Sequence, residues 1–321
     1  MYLFSDQQFI TIVDYNDPNQ PFVTNLGFDY LQYGEDVKNI AICEDKGLLM
    51  MSSPEEGLLH VFTTVKRSNP NEGPKLLQSI DAGKNCEEII TNSDCTIVAV
   101  SNINIGEGLA TGGVTIVRSE FDYSSGDGES NDIDVVHVPL DALDQSIDDE
   151  YVLTKGLNLP LSKKSLEYWD EYSPYADDLD LREVRENYRT AIFLTPTALS
   201  WNGPSETEIL VNLQENNGII RIDINSNEVL DLAGFGLKDH GTIPIDINTQ
   251  DQDCILRTYK DVFSMRNPNM ITSIRYNDKI YLITSNEGES KEYDNFEDLI
   301  EAKDLFKGTE FFLNGVDVDN E

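Results

Sequence analysis

Basic residues are scarce in this chain. Lys and Arg together number 23 against 59 Asp and Glu, for a formal net charge of −36. A field of that sign repels phosphate backbones and anionic headgroups, so nucleic-acid binding is not expected. Cations or a basic protein are the partners such a charge suits, although a surface adapted for solubility in a salty medium would carry it too. Histidine is scarcer still, with three residues. Of the four cysteines (Cys43, Cys86, Cys95, Cys254) none forms a C-x-x-C pair, which argues against a zinc site. Cys86 and Cys95 flank a short turn; they either pair across two strands or stay free and partly buried. No apolar run reaches the roughly 18 residues of a membrane span. The opening "MYLFSDQQFITIV" lacks the basic residues and long apolar core of a secretory signal, and reads as a strand already under way. Asn-x-Ser/Thr is absent, so N-linked glycosylation is not expected.

What is present is strand after strand. The 321 residues are 39% apolar, enough for one large all-β domain or two ordinary ones. Short runs of Val, Ile, Leu, Tyr and Phe are bounded by Gly, Asn, Asp and Pro. Four segments share a pattern: "NIAICEDKGLLMMSSPEEGLLHVF" (39–62), "EEIITNSDCTIVAVSNINIGEGLATGGVTIVRS" (87–119), "TALSWNGPSETEILVNLQENNGIIRIDI" (197–224) and "NMITSIRYNDKIYLITSNEGESKEYD" (269–294). Each has an apolar strand, a polar turn, a second strand, and a polar turn containing Gly; the first three continue into a third strand. A partial copy opens the chain. This is the strand order of a propeller blade, whose sheet hides its faces only by stacking on its neighbours.

The expected fold is therefore all-β: a β-propeller, incomplete or open, of about four to five blade units. Blades in 1–140 and 191–321 flank an acidic insertion at 141–190, all within one structural domain. "DDLDLREVRENYRT" spaces Leu179, Leu181, Val184 and Tyr188 for a surface helix, and "LSKKSLEYWDEYSPY" suits another. A second insertion (236–268) reads as an extended loop, and "FEDLIEAKDLFKG" as a short C-terminal helix. Gly218 and Gly288 fall where a second strand turns into the next element, and glycine tolerates the positive φ of a tight turn.

Several of these stretches, in order, resemble the choice-of-anchor I domain, a family that includes mesenchyme-specific cell-surface glycoproteins associated with biomineral deposition. They are "VNLQENNGIIRIDI" (211–224), "LAGFGLKDHG" (232–241) and "YLITSNEGESKEYDNFEDLIEAKDL" (281–305), with "ITIVDYNDPNQPF" near the start. The resemblance covers most of the chain outside 141–190. It implies a seven-bladed propeller, exported and held at a surface, of which this chain is a copy cut short at both ends or a smaller ring. It also implies an acid after the proline that opens each inner strand, where this chain has Thr197 and Asn269. The family's first Asn-Glu-Gly-Glu turn becomes "SNINIGEG", keeping Asn102 and Glu107 at altered spacing.

The candidate metal ligands are Gln214, Glu215 and Asn216, with Asn217 beside them, and Asn286, Glu287, Glu289 and Asp294. Ca²⁺ takes oxygen ligands, and Gln, Asn and Glu supply them. If the blades repeat, Glu287 stands where Glu215 stands in another blade, and the two carboxylates face a common rim. The plainer reading of each is a capped turn with a solvated acid. Lys238, Asp239 and His240 form a further loop candidate; Asp-His has the composition of a base with its orienting carboxylate, but no G-x-S-x-G supplies a nucleophile. Loop-anchoring bonds suit those three better. His60 and His137 are expected to be structural. "DINTQDQDCILR" opens like an EF-hand loop with Asp246, Asn248 and Gln250, then lacks the Gly and puts Arg257 at the bidentate position.

Two functions from different classes follow. The first is a non-enzymatic propeller at or outside the cell surface, binding Ca²⁺ or a protein partner. The second is a metal-dependent phosphoester hydrolase on the same fold.

Overall fold

The computed structural model describes residues 38–64, 73–103, 111–123, 132–143, 156–159, 190–247 and 254–289, together with the backbone of strands on either side. The expected helices of 141–190 lie outside the described residues. So does most of the expected C-terminal helix. Its first two residues are not helical but form β21 (Phe296–Glu297), paired with β20 (Glu292–Tyr293).

Three four-stranded antiparallel sheets follow one another. The first joins β4 (Ile40–Cys43), β5 (Leu48–Ser53), β6 (Leu58–Thr63) and β7 (Leu76–Asp81). The second joins β8 (Cys86–Thr91), β9 (Ile97–Asn102), β10 (Gly113–Arg118) and β11 (Asp134–Pro139). The third joins β12 (Pro196–Trp201), β13 (Glu208–Leu213), β14 (Gly218–Asp223) and β15 (Glu228–Gly234). A three-stranded sheet precedes them: β1 (Tyr2–Asp6), β2 (Phe9–Asp14) and β3 (Phe22–Asp29). A two-stranded sheet follows, β18 (Pro268–Tyr276) with β19 (Lys279–Asn286). The stretch expected as a loop holds a small pair, β16 (Leu237–Asp239) with β17 (Phe263–Met265), and a bridge between Ile245 and Arg257. β22 (Phe312–Leu313) and β23 (Val316–Asp317) form a last hairpin.

Each sheet hides its faces against its neighbours. Leu48, Met50, Leu59 and Val61 of the first sheet pack on Ile89, Val98 and Val100 of the second. Ala99, Val114 and Ile116 of the second meet Leu199, Ile209, Val211 and Ile220 of the third. Ala198 and Leu210 of the third meet Ile271 of the fourth. This radial stacking is what the alternating apolar pattern requires, since both faces of a central sheet need covering. The fold is an all-β propeller.

A polar device recurs at every seam. Ser52 sits one residue before the end of β5. Its hydroxyl accepts the Asn39 N–H at 3.1 Å and donates to the Glu87 carbonyl of the next sheet at 3.0 Å. Ser101 does the same in β9, accepting from Glu88 N at 3.0 Å and donating to Thr197 O at 2.8 Å. In β13 the place is taken by Asn212, whose amide donates to the Pro268 carbonyl of the fourth sheet. In β19 it is Ser285, which accepts from Met270 N at 3.3 Å. The repeat is therefore legible in side-chain chemistry where sequence identity is poor.

Two expectations about single residues are corrected. Cys95 does not pair with Cys86 but with Cys43, their Cα atoms 6.1 Å apart, joining the first and second sheets. Cys86 stays free, the other alternative, as a buried thiol; desolvation pushes its pKa up to about 12. Gly218 does not carry the positive φ of its turn. Asn217 does, at 51°, while a Cβ on Gly218 would lie 2.7 Å from Leu157 Cδ2. At Gly288 the expectation holds, with φ of 88°.

No helix among the described residues is long and apolar enough to cross a membrane.

Candidate functional site: a rim of amide and carboxylate turns

β13 and β19 end at the same rim, because each lies antiparallel to an inner strand that opens on proline: Pro196 pairs with Leu213, and Pro268 with Asn286. The turns that follow, Gln214–Asn217 and Glu287–Glu289, are thereby neighbours. Gln214 Nε2 lies 3.5 Å from Glu289 Oε2, across the seam. The same register corrects the expected equivalence. With Leu213 matched to Asn286, Glu287 corresponds to Gln214 and not to Glu215. Matching the amide-glutamate pairs Gln214-Glu215 and Asn286-Glu287 misplaced it by one residue.

The side chains divide into latches and open groups. Asn216 is wholly buried: its Oδ1 accepts the Thr195 N–H at 3.0 Å, and its Nδ2 donates to Asn158 O and Phe193 O. Asn217 is equally buried; its amide reaches Gly156 O and Gly236 O, while its Oδ1 takes Arg266 N and Asn267 N. Both asparagines thus satisfy backbone groups of loops that would otherwise be buried unpaired. Asn102 plays this part in the second sheet, donating to Ala82 O and receiving the Thr115 hydroxyl.

Glu215 accepts the Thr195 hydroxyl at 2.8 Å, and its own carbonyl takes the Asn158 amide. Glu287 and Glu289 are exposed. Asn286 is exposed and receives the Thr284 hydroxyl at 3.0 Å. Asp294 lies outside the described residues, as does Glu107.

Two further residues at this seam were not singled out from sequence. Asn267 donates its amide to Glu289 O at 2.6 Å, and Asn212 donates to Pro268 O, yet the side-chain oxygens of both are buried with no hydrogen-bond partner. Two orphaned buried acceptors at one seam are unusual, since buried polar atoms are nearly always paired. Three or more carboxylate, imidazole or thiolate groups do not converge on one point anywhere among the described residues.

The loop candidates lie apart from the rim acids. His240 is buried; Nδ1 lies 3.0 Å from Ile243 O and Nε2 lies 2.9 Å from Ser264 Oγ. A carbonyl only accepts, so Nδ1 carries a proton. Asp239 turns away and accepts the Gly241 N–H at 2.8 Å. Lys238 lies beside them on β16, partly exposed. These bonds anchor a loop. His60 and His137 likewise meet hydroxyls, those of Ser79 and Thr115. In the EF-hand-like stretch Asp246 accepts the Ile255 N–H at 3.0 Å.

One buried acid stands apart. Glu88 lies at the seam of the second and third sheets, where a bulge between Pro196 and Leu199 frees the Leu199 N–H for its carboxylate. Desolvation pushes its pKa up to about 7. The same seam is stitched at the opposite rim by Trp201 Nε1 to Thr91 O and by Ser93 to Glu206. Beside it, between the third and fourth sheets, is a cleft of about 320 Å³ lined by Trp201, Pro204 and Arg275 among others.

Stacked antiparallel sheets of this order define a β-propeller. Residues 1–314 match the choice-of-anchor I domain, and the chain belongs to that family. No curated protein matches it. Among solved structures it is similar to a functionally unknown protein from Desulfotomaculum acetoxidans, at 11% identity and a TM-score of 0.41, over 71% of this chain and 53% of that one. It is also similar to the Cps50 (Swd1) β-propeller domain of Myceliophteria thermophila, at 9% identity and a TM-score of 0.41, over 73% and 55%. A third is the Pan2 WD40 domain of Neurospora crassa, at 12% identity and a TM-score of 0.34, over 88% and 52%. The chain spans about half the length of these structures.

Proposed function

We propose that this chain is a non-catalytic propeller of the cell surface or extracellular space, which binds Ca²⁺ or a basic protein surface through its rim of turns. The observation that carries the reading is the approach of Gln214 to Glu289 across the third seam. It brings Gln214, Glu215, Asn286, Glu287 and Glu289 to one rim, beside the orphaned oxygens of Asn212 and Asn267. The net charge of −36 favours cationic partners over that rim. A disulfide between Cys43 and Cys95 suits an oxidising compartment. Association with biomineral surfaces is the physiological setting that a calcium-binding acidic rim would serve. No observation favours the phosphoester hydrolase.

The test is thermal melting with and without Ca²⁺, alongside phosphatase and phosphodiesterase assays. A melting temperature raised by Ca²⁺ without turnover supports the binder, since a ligand that binds only the folded state stabilises it. Calcium-dependent turnover would replace this reading with the hydrolase.

A further inference from the structure

Glu88 stands at a position that recurs in other sheets, but its side chain does something new. Its N–H is the one that Ser101 accepts. The same place is held by Asn39 in the first sheet, whose N–H Ser52 accepts, and by Met270 in the fourth, whose N–H Ser285 accepts. Among these three, Glu88 alone is ionisable, and its carboxylate crosses to the third sheet to accept the Leu199 N–H. Only part of the residue reaches solvent. The strands packed against β8, namely β4, β5, β9 and β12, carry no charged residue. Of the charged groups just before β4 and on β8 itself, Lys38 and Glu87 face each other at 3.6 Å.

What Glu88 holds is a bulge. Between Pro196 and Leu199 the register of β12 on β13 shifts, and the second sheet grips the shifted segment at two points. Ser101 donates to Thr197 O at 2.8 Å, and Glu88 takes the Leu199 N–H. Just before the bulge, Thr195 gives its N–H to Asn216 at 3.0 Å and its hydroxyl to Glu215 at 2.8 Å, which ties the bulge to the rim turn 214–217. A hydroxyl grips at any pH; a carboxyl does not. We infer that Glu88 is a proton-controlled latch on this bulge: neutral, it lies in the seam, and once ionised it is drawn toward water and lets the bulge and the rim turn loosen. Burial outweighs the Leu199 N–H in its balance and raises its pKa to about 7. The closed seam therefore holds the proton more tightly than an opened one, in which the solvated carboxyl titrates at its ordinary 4.5. Opening becomes more populated as pH rises between those two values, and levels off above them. The device acts whatever the rim binds.

Amide hydrogen exchange of residues 195–201 and 213–218, corrected for the intrinsic effect of pH, tests the latch in the parent and in Glu88→Gln. Between about pH 5 and pH 8 the parent's protection there should fall about 50-fold, as the two pKa values require, while that of the Gln variant stays level. The opening is local and exposes little surface. Exchange of these segments at about pH 8 should therefore not respond to about 1 M urea, whereas that of 48–53 in the first sheet follows unfolding of the whole chain and does respond. An equal fall in parent and variant overturns the inference, and so does a urea dependence as steep at 195–201 as at 48–53. Should the Gln variant fail to fold, the carboxyl carbon of Glu88, followed by NMR in the parent, decides the matter. A midpoint near 7 shared with the change in exchange supports the latch, and a midpoint near 4.5 overturns it.

Discussion

Replacing Glu88 by Gln should stabilise this protein at alkaline pH, although it removes a hydrogen-bonded carboxylate. The reason is the balance at the second seam. Burial raises the Glu88 pKa from an ordinary 4.5 to about 7, against the opposing effect of the Leu199 N–H. Desolvation therefore outweighs the hydrogen bond. A rise of that size corresponds to about 3 kcal/mol of penalty on the charged form. The native state binds more protons than the unfolded chain between pH 4.5 and about 7, so this residue's contribution to stability falls as pH rises through that window. Above it the full penalty stands. Gln keeps an oxygen for Leu199 N–H and drops the charge, at some cost from its extra N–H groups. The expected gain at pH 8 is about 1–3 kcal/mol, with little gain at pH 5. Denaturant melts of both proteins across pH 4.5–8.5 test this. The general relief of acidic repulsion on acidification affects both alike, so only the difference between the curves matters. Parallel curves, or a variant less stable at pH 8, would refute the reasoning.

Three further outcomes are expected. At lower pH the sign reverses: Asp94, held down by the Thr96 hydroxyl, and Asp231, held down by Arg221, have depressed pKa values. Their stabilisation is present above the ordinary carboxylate range and is lost as pH falls through their folded values, so the stability profile should turn downward below about pH 4. Cys43→Ala should cost about 4 kcal/mol by the chain-entropy argument for a bridge spanning 52 residues, read as a drop in denaturant midpoint that reductant reproduces in the parent. Asn217→Ala should cost about 3 kcal/mol or more, since it combines a left-handed φ of 51° with the loss of the amide that serves four backbone groups. Asn217→Gly should recover only the backbone part, about 1 kcal/mol, in the same melts.

The strands and their order were legible in the sequence because burial on both faces leaves apolar runs such as "LLMMSS" and "EILVNL" between turn residues. The family was legible because four motifs recur in order. The turns were harder. Asn217 and Gly218 both suit a tight turn; Asn217 takes the positive φ, and the glycine is needed instead because Leu157, from a stretch with no strand signal, packs against it. The partner of Cys95 was decided by how two sheets stack, which local spacing does not carry. The hairpin between inner and second strand is one residue longer in the fourth sheet, where Ser273 pairs with Leu282, than in the third, where the equivalent Trp201 pairs with Ile209, and that difference hid the equivalence of Gln214 and Glu287. Asn212 and Asn267 gave no signal, since an orphaned oxygen exists only once the seam has closed around it.

The most direct test of the rim is calorimetric titration of Ca²⁺ into the parent protein and into the Glu215→Gln, Glu287→Gln double variant, at equal ionic strength. Saturable binding in the parent, weakened severalfold in the variant, is the expected result. Identical isotherms, or no heat of binding in the parent, would contradict a cation-binding rim.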